Sequence, residues 1–272
     1  MQNQSTLGRY EYKYSISPDL MAAVRMLIRP YCRMDRSGST DKDGFYVVRS
    51  LYFDDDRYSL YRDTEDQVPV RIKLRARAYG DSDSDTVKLE IKKRTDDLIV
   101  KSSLSVPQEN WMEGLSPVRN GNQPRVGPAH RTDNAFVART RLLGARPKML
   151  VRYERQAFQS TIDDYVRITF DQNILHQPMS VCDLAGKSSQ WAPTGDREST
   201  GTGDFPVILE FKFIDRAPQW LVDVARKCGL FRGGFSKYAA AVRKSAIESS
   251  AYWSLAPICA FNQPGRESRW VH

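Results

Sequence analysis

Rows of basic side chains on predicted strands are the residues of this sequence best suited to chemistry. Residues 70–79 alternate apolar and basic positions, which is the pattern of a strand whose two faces differ. One of these faces carries Arg71, Lys73, Arg75 and Arg77. Neighbours on one strand face are about 6–7 Å apart, so four cations in a row repel one another. The row therefore faces either water or a multiply charged anion.

The same alternation recurs in five further segments, so the basic row is not an isolated feature. A solvated outer face is the simplest interpretation of any single strand of this kind. Six such strands together favour a different arrangement, in which their charged faces line a common polar interior. The further segments are residues 10–14, 86–94, 151–155, 166–171 and 208–213.

Paired donors on these faces suit phosphate. Arg75 and Arg77 share a face, and their planar guanidinium groups match phosphate oxygens two at a time. Ser236 and Lys237 follow two glycines at a predicted helix start, where backbone N–H groups attract anions. The sequence leaves two alternatives open, a structural salt bridge for the arginines and a simple helix cap by Ser236.

Glutamate and lysine separated by one residue recur on the same faces, and this pairing suits a metal bound next to phosphate. Glu11 precedes Lys13 in this way, and Glu90 precedes Lys92. A carboxylate oxygen is a ligand for a hard divalent cation, whereas an ammonium group binds phosphate. Glu210 lies in an otherwise apolar strand, where a charge is unfavourable without a partner or a metal. Ordinary ion pairing between strands is the alternative for each glutamate.

Composition and absent motifs narrow the function classes. The 272 residues carry a formal net charge of +8, which favours polyanionic partners such as phosphorylated metabolites, polyphosphate, nucleic acid or an anionic membrane. The chain has no Walker A sequence, no glycine-rich dinucleotide motif and no nucleophile elbow. Phosphoryl transfer is compatible with these absences, because in that reaction the protein mainly positions and neutralises charge.

Sequence features also indicate the compartment. No apolar run approaches the roughly 20 residues of a membrane span. Residues 1–5 lack the charged and apolar regions of a signal peptide. The four cysteines are widely separated, as in proteins of a reducing compartment. We therefore expect a cytoplasmic protein, and any link to the inner face of a membrane would need a partner.

Eight predicted strands that mostly follow one another along the chain favour an antiparallel sheet. The fold class is therefore α+β, and eight such strands can close into a barrel. We expect a closed eight-stranded, mainly antiparallel β tunnel with a polar, charged lumen and helices packed outside. One domain would span residues 1–272, with a helical insertion at about 107–147 and a C-terminal helix and tail at about 238–272.

With this order of motifs the chain resembles the VTC domain, the polyphosphate polymerase domain of the vacuolar transporter chaperone family. That family belongs to the triphosphate tunnel metalloenzymes, which also include the CYTH-like triphosphatases. Eight motifs in order carry the resemblance: RYEYKY (9–14), RSLYFD (49–54), KLRARAYG (73–80), LEIKKR (89–94), VRYERQAF (151–158), VRITFD (166–171), LEFK (209–212) and FSKY (235–238).

The resemblance implies a polyphosphate polymerase, which transfers the γ-phosphate of ATP to a growing polyphosphate chain inside a basic tunnel. Two alternatives keep the fold. One is an inorganic triphosphatase or nucleoside triphosphatase, and the other is a non-catalytic module that binds polyphosphate or another polyanion. The implied partners are ATP and polyphosphate, with a membrane protein as a further partner and no nucleic acid.

The resemblance also implies roles for individual residues. Mn²⁺ or Mg²⁺ would be held by Glu210, helped by Glu11 or Glu90. The residues implied to be catalytic are Lys237, Arg75, Arg77 and Lys212. The residues implied to bind phosphate are Lys13, Arg75, Arg77, Lys92, Arg94, Tyr153, Arg155, Arg167, Lys212, Ser236 and Lys237.

Overall fold

A computed structural model gives the strands and helices of the chain. It describes residues 8–35, 43–80, 85–113, 115, 134–163, 165–195 and 206–248. Within these ranges the chain forms ten strands and five α-helices. The predicted C-terminal tail and part of the predicted helical insertion lie outside the described residues. The extent of the single domain stays a prediction.

The ten strands form one antiparallel sheet. They are β1 (Tyr10–Ile16), β2 (Cys32–Met34), β3 (Phe45–Asp54), β4 (Val70–Tyr79), β5 (Thr86–Thr95), β6 (Leu98–Pro107), β7 (Arg146–Ser160), β8 (Arg167–Pro178), β9 (Ala192–Pro193) and β10 (Val207–Phe213). Eight of them follow the order β1-β10-β8-β7-β3-β4-β5-β6, while β2 pairs with β7 and β9 pairs with β8. The first strand of the described residues is therefore hydrogen-bonded to the last one.

The sheet is not the closed eight-stranded barrel that the sequence predicted. Within the described residues, its outer strands β1 and β6 meet at one isolated bridge, where Arg9 and Ile99 exchange two backbone hydrogen bonds of 3.1 Å. Further along β1, the Lys13 carbonyl accepts a 2.9 Å bond from the Gly233 N–H instead of from β6. The prediction was therefore right in fold class and antiparallel order, and wrong in strand number and closure.

Strand register explains why the basic rows share one face. Across β4 and β5, Lys73 lies opposite Lys92 and Arg75 lies opposite Glu90, so the charged positions of both strands point to the same side. The other side carries apolar residues that form a buried cluster with α3. That cluster includes Leu74, Ala76, Ala78, Val87, Leu89 and Phe136.

Three of the helices cover the outer, apolar side of the sheet. The helices are α1 (Pro18–Ile28), α2 (Ser59–Glu65), α3 (Ala135–Leu142), α4 (Gln219–Lys227) and α5 (Lys237–Glu248). Helices α1 and α4 cover β1, β8 and β10, and α3 packs on β3 and β5. No helix of the described residues combines the length and the apolar character that a bilayer crossing requires.

The last helix, α5, packs on the inner side of the sheet, unlike the predicted helices outside. Its Ala241 and Val242 share a buried cluster with Val48 and Val151. Val151 lies on the same alternating face of β7 as Arg155, the face of the basic rows. The small side chains of α5 let the helix approach this face closely. Its first residue is therefore placed directly against the cationic side chains.

One buried carboxylate ties α5 to the sheet. The hydroxyl of Tyr238 donates a 2.7 Å bond to Asp54 Oδ2, and both side chains are buried. Asp54 also accepts bonds from the backbone N–H groups of Leu60 and Tyr61 in α2. The ring of Tyr238 stacks on Tyr52, with 5.0 Å between ring centres. Asp54 therefore holds the end of β3, the start of α2 and the start of α5 together.

The Tyr238→Phe substitution is expected to lower the free energy of unfolding by about 1–3 kcal/mol, because a buried carboxylate loses a donor while the ring stack remains. Urea denaturation measures this loss. Tyr165→Phe is the matched control, since Tyr165 is 48% exposed, and it should change stability by less than about 0.5 kcal/mol. Equal losses in the two variants would contradict the role assigned to the bond.

Candidate functional site

The inner face of the sheet encloses a cavity of about 940 Å³, which we call the central cavity. Among the described residues that line it, sixteen are lysine or arginine and four are aspartate or glutamate. All eleven residues expected to bind phosphate line this cavity. The basic rows of separate strands therefore converge on one polar space, as their alternation predicted.

Glu90 lies behind the arginines of β4 and presents no surface to the cavity. Its side chain is fully buried, with Arg75 Nε at 2.6 Å, Lys101 Nζ at 2.8 Å and Arg77 Nη1 at 3.9 Å. Burial would raise its pKa, but these cations hold the pKa of Glu90 well below its usual range. Glu90 was expected to help hold a metal. The structure instead gives it the position of a counter-ion, the alternative that the sequence left open.

Asp171, which the sequence analysis did not single out, occupies the same kind of position beside Arg155. The guanidinium of Arg155 donates two parallel bonds of 2.6 and 2.7 Å to Asp171, and Lys237 Nζ lies 2.5 Å from it. Burial opposes the charge on Lys237, but Asp171 raises the pKa of that ammonium group above its ordinary value. The sequence did carry a signal, since Asp171 shares the alternating face of Arg167.

Glu210 is the cavity-lining acid with the most cations around it. Lys212 Nζ lies 2.8 Å from its carboxylate, Lys13 Nζ 3.4 Å, Lys237 Nζ 3.7 Å and Arg155 Nη2 3.8 Å. Burial would raise its pKa, but this group of cations holds the pKa of Glu210 well below its usual range. Burial also lowers the pKa of Lys212 to about 8, although Glu210 opposes that shift. Glu210 is therefore ionised and outnumbered by positive charges.

A divalent metal would fit the site at Glu210 only if substrate phosphate supplied part of its coordination shell. Among the described residues, no three His, Cys, Asp or Glu side chains converge into a metal-binding group. Glu11 lines the cavity but is paired with Lys92 Nζ at 2.6 Å. Magnesium commonly takes one or two carboxylates and completes its shell with substrate phosphate and water. Glu210, at the cavity surface, matches that kind of site.

Lys73 is a cavity residue that the predicted set of ligands omitted. Its Nζ lies 2.7 Å from Ser236 Oγ, and no carboxylate of the described residues lies within 4.0 Å of it. Burial first, and then the nearby Lys13 and Lys92, lower the pKa of Lys73 well below its ordinary value. Its position in the alternating row of Arg75 was a sufficient sequence signal.

Tyr153 directs an unsatisfied hydroxyl group toward the same space. Its side chain is fully buried, and its Oη has no hydrogen-bond partner among the described residues. Lys237 Nζ lies 4.7 Å and the guanidinium of Arg155 5.3 Å from the centre of its ring. A buried hydroxyl without a partner is destabilising, and an anion between these two cations would give it one.

Two predicted phosphate ligands lie at the edge of the cavity. Arg94 is paired with Asp97 at 2.8 Å, and Arg167 is paired with Asp35 at the same distance. The Arg167 side chain is 46% exposed. Their roles in binding phosphate stay predictions, and their surroundings are wetter than those of the arginines inside.

Comparisons with known proteins point to one family. A family model for the VTC domain matches residues 8–246 of this chain, and no curated protein matches it. Among solved structures, a Bacillus halodurans protein described as a candidate adenylate cyclase shares 9% identity at a TM-score of 0.46. That match covers 85% of this chain and 96% of the other.

Two further solved structures are more distant. The PH1819 protein of Pyrococcus horikoshii shares 10% identity at a TM-score of 0.41, covering 88% of this chain and 98% of that one. The capping enzyme triphosphatase of Mimivirus shares 10% at 0.32, covering 85% and 92%.

The Glu90→Gln substitution is expected to lower the free energy of unfolding by about 3 kcal/mol or more, because buried cations lose their carboxylate. The pKa of Glu90 is lower in the folded chain, so its stabilising effect is present at neutral pH and is lost as the pH falls. The difference in the free energy of unfolding between wild type and variant, measured by urea denaturation, should therefore be smaller at about pH 3 than at pH 7.

Glu109→Gln is the control for this experiment, since Glu109 is exposed. Its effect should stay below about 0.5 kcal/mol at both pH values. A loss in Glu90→Gln as small as that of the control, or a gap that widens in acid, would contradict the counter-ion role.

Proposed function

This chain belongs to the VTC domain family, and we propose that it is a metal-dependent polyphosphate polymerase that uses ATP. The observation that carries the proposal is the charge of the central cavity, where sixteen cations face four acids among the described lining residues. One triphosphate would neutralise only part of that excess. The cavity therefore suits a nucleotide donor and a chain of phosphates together.

The donor triphosphate would be held by arginines that are already oriented. Glu90 fixes Arg75 and contacts Arg77, while Asp171 fixes Arg155 through two parallel bonds. Donors fixed in this way need little reorganisation when charge develops on the phosphoryl group, which is the main condition for electrostatic catalysis. The carboxylates behind the arginines thus contribute to catalysis without contacting the substrate.

The transfer step needs positioning and charge, but no protein nucleophile. A terminal oxygen of the acceptor chain bonds to the γ-phosphorus, while the bond from that phosphorus to the β–γ bridging oxygen breaks. The electron pair of the broken bond leaves with ADP, and a fully ionised acceptor releases no proton. Lys237 and Lys212, which lie beside Glu210, neutralise charge on the group in transit.

Glu210 would hold Mn²⁺ or Mg²⁺ together with phosphate oxygens, with Glu11 as the other nearby carboxylate at the cavity surface. A metal bound there would polarise the phosphoryl group that is transferred. In the bound state, the lysines that now contact Glu210 would turn to phosphate oxygens.

The described cysteines support a route without a covalent intermediate. Burial raises the pKa of Cys32 to about 12 and that of Cys182 to about 11. Burial also raises the pKa of Cys228. Thiols of this kind carry almost no thiolate at neutral pH and are poor nucleophiles.

Two other functions use the same cavity. With water in place of the acceptor, it would hydrolyse inorganic triphosphate or a nucleoside triphosphate. Without turnover, it would be a polyanion-binding module. Nucleic acid is disfavoured as the polyanion because single strands usually require aromatic platforms in an open groove. The membrane-protein partner implied by the family resemblance stays a prediction.

Incubation with ATP and Mn²⁺ or Mg²⁺, followed by sizing of the products on a gel, separates the three functions. The polymerase should produce a ladder of phosphate chains. Release of orthophosphate without chains would contradict the proposal and indicate a hydrolase. Unchanged ATP would contradict it and indicate a module that only binds polyanions.

The Glu210→Gln substitution should lower kcat by about 100-fold or more, because it removes the metal-binding carboxylate and its field at the transferred group. Binding of ATP, measured by calorimetry, should be retained or tightened, since four cations lose a shared counter-ion. An unchanged kcat in this variant would show that Glu210 takes no part in the reaction.

Glu154→Gln is the matched control for that substitution. Glu154 is on β7 and accepts bonds from Gln172 and Asn173, outside the residues that line the cavity. Both kcat and ATP binding should stay at wild-type values in this variant. Losses of similar size in the two variants would show a general structural effect.

A further inference from the structure

The cations of the central cavity fall into two groups along β4. Arg75 and Arg77 lie in the C-terminal half of the strand and have Glu90 within 4 Å. Lys73 precedes Arg75 by two residues on the same face and has no carboxylate of the described residues within 4.0 Å. Folding thus supplies the arginines with a counter-ion and leaves Lys73 without one.

Two other lysines lie close to Lys73. Lys92 is directly opposite it on β5, and Lys13 on β1 donates a 2.8 Å bond to the Phe235 carbonyl. All three lysines line the central cavity. Each neighbour already shares an acid, because Lys92 is paired with Glu11 and Lys13 lies 3.4 Å from Glu210. An anion bound here would therefore meet two partly neutralised ammonium groups and would favour the protonated form of Lys73, whose pKa burial and the neighbouring lysines lower.

Ser236 adds a hydroxyl donor at the same point. Its Oγ accepts bonds from Lys73 Nζ at 2.7 Å and from the Ala239 N–H at 3.2 Å. The hydroxyl hydrogen takes part in neither bond, so it is free to donate to another group. Ser236 precedes α5 directly, and helix N-termini favour anions. Three lysines and one hydroxyl thus line the same cavity next to the start of α5.

We propose that Lys13, Lys73, Lys92 and Ser236 form a binding site for the acceptor, an inorganic phosphate chain, separate from the arginines that hold the donor. This inference rests on the proposed function. Guanidinium groups bind phosphate in a fixed orientation, which suits a donor that must be aligned for transfer. Ammonium groups are point charges with rotatable donors, which suit a chain that advances by one unit after each transfer.

Lys73→Met tests this site, because it removes the charge and keeps an unbranched side chain of similar length. The protein is first saturated with a non-hydrolysable β,γ-imido analogue of ATP and is then titrated with inorganic tripolyphosphate in a calorimeter. Tripolyphosphate should bind Lys73→Met at least about tenfold more weakly than wild type, as for the loss of a charged hydrogen bond. The affinity for the ATP analogue should change by less than about threefold.

Lys93→Met is the matched control, since Lys93 follows Lys92 on β5 but is exposed and points to the opposite side. It should leave both affinities unchanged. Lys73→Gln is titrated in the same way, so that the result does not depend on the folding of one variant. Thermal melts of all variants check that they fold.

Two results would overturn the acceptor site. Unchanged tripolyphosphate binding in both Lys73 variants would show that Lys73 takes no part in it. Equal weakening of the ATP analogue and of tripolyphosphate would assign Lys73 to the donor. Failure of the wild-type protein to make polyphosphate would overturn the proposed function instead, and the titration would still decide whether a second phosphate site exists.

Discussion

The structure depends on buried carboxylates that neutralise the cavity cations before any substrate binds. The described residues that line the cavity include sixteen cations and four acids, so like charges repel one another as the chain folds, and removing charges from water adds a further penalty. Glu90 and Asp171 are fully buried behind that lining and offset part of the repulsion. Glu90 contacts cations of β4 and β6, and Asp171 contacts cations of β7 and α5, so the ion pairs that offset the repulsion also orient the guanidinium groups toward the cavity.

Neutralisation is uneven, and the uneven pattern divides the cavity into regions with different chemistry. Around Arg75 and Arg155 the charge is satisfied and the side chains are held by short bonds. At Glu210 the acid faces the cavity with several cations around it, and the proposed metal and phosphate would exchange partners with them there. At Lys73 no acid of the described chain lies within 4.0 Å. The presence or absence of nearby carboxylates thus determines which cations are held in position, which can exchange partners and which are open to an anion.

Alternation along single strands predicted much of this site, because side-chain direction in a strand is a local property. It identified the strand at residues 70–79 to the residue, and together with the family resemblance it gave eleven candidate phosphate ligands, all of which line one cavity. It could not show that Glu90 and Asp171 lie behind arginines, because partners across strands depend on register, which distant residues set. For the same reason the sequence did not predict that the sheet stays open at β1 or that α5 lies on its inner face.

The pairing of β1 with β10 has a consequence for the synthesis of the chain. Tyr10 lies opposite Phe213, so among the described strands of this sheet the first to leave the ribosome waits for the last. Contacts this distant in sequence form slowly and late. Until then a nascent chain carries its bare rows of arginine and lysine beside ribosomal RNA, the nearest large polyanion. The basic rows that later line the cavity are therefore exposed to RNA for as long as the sheet is incomplete.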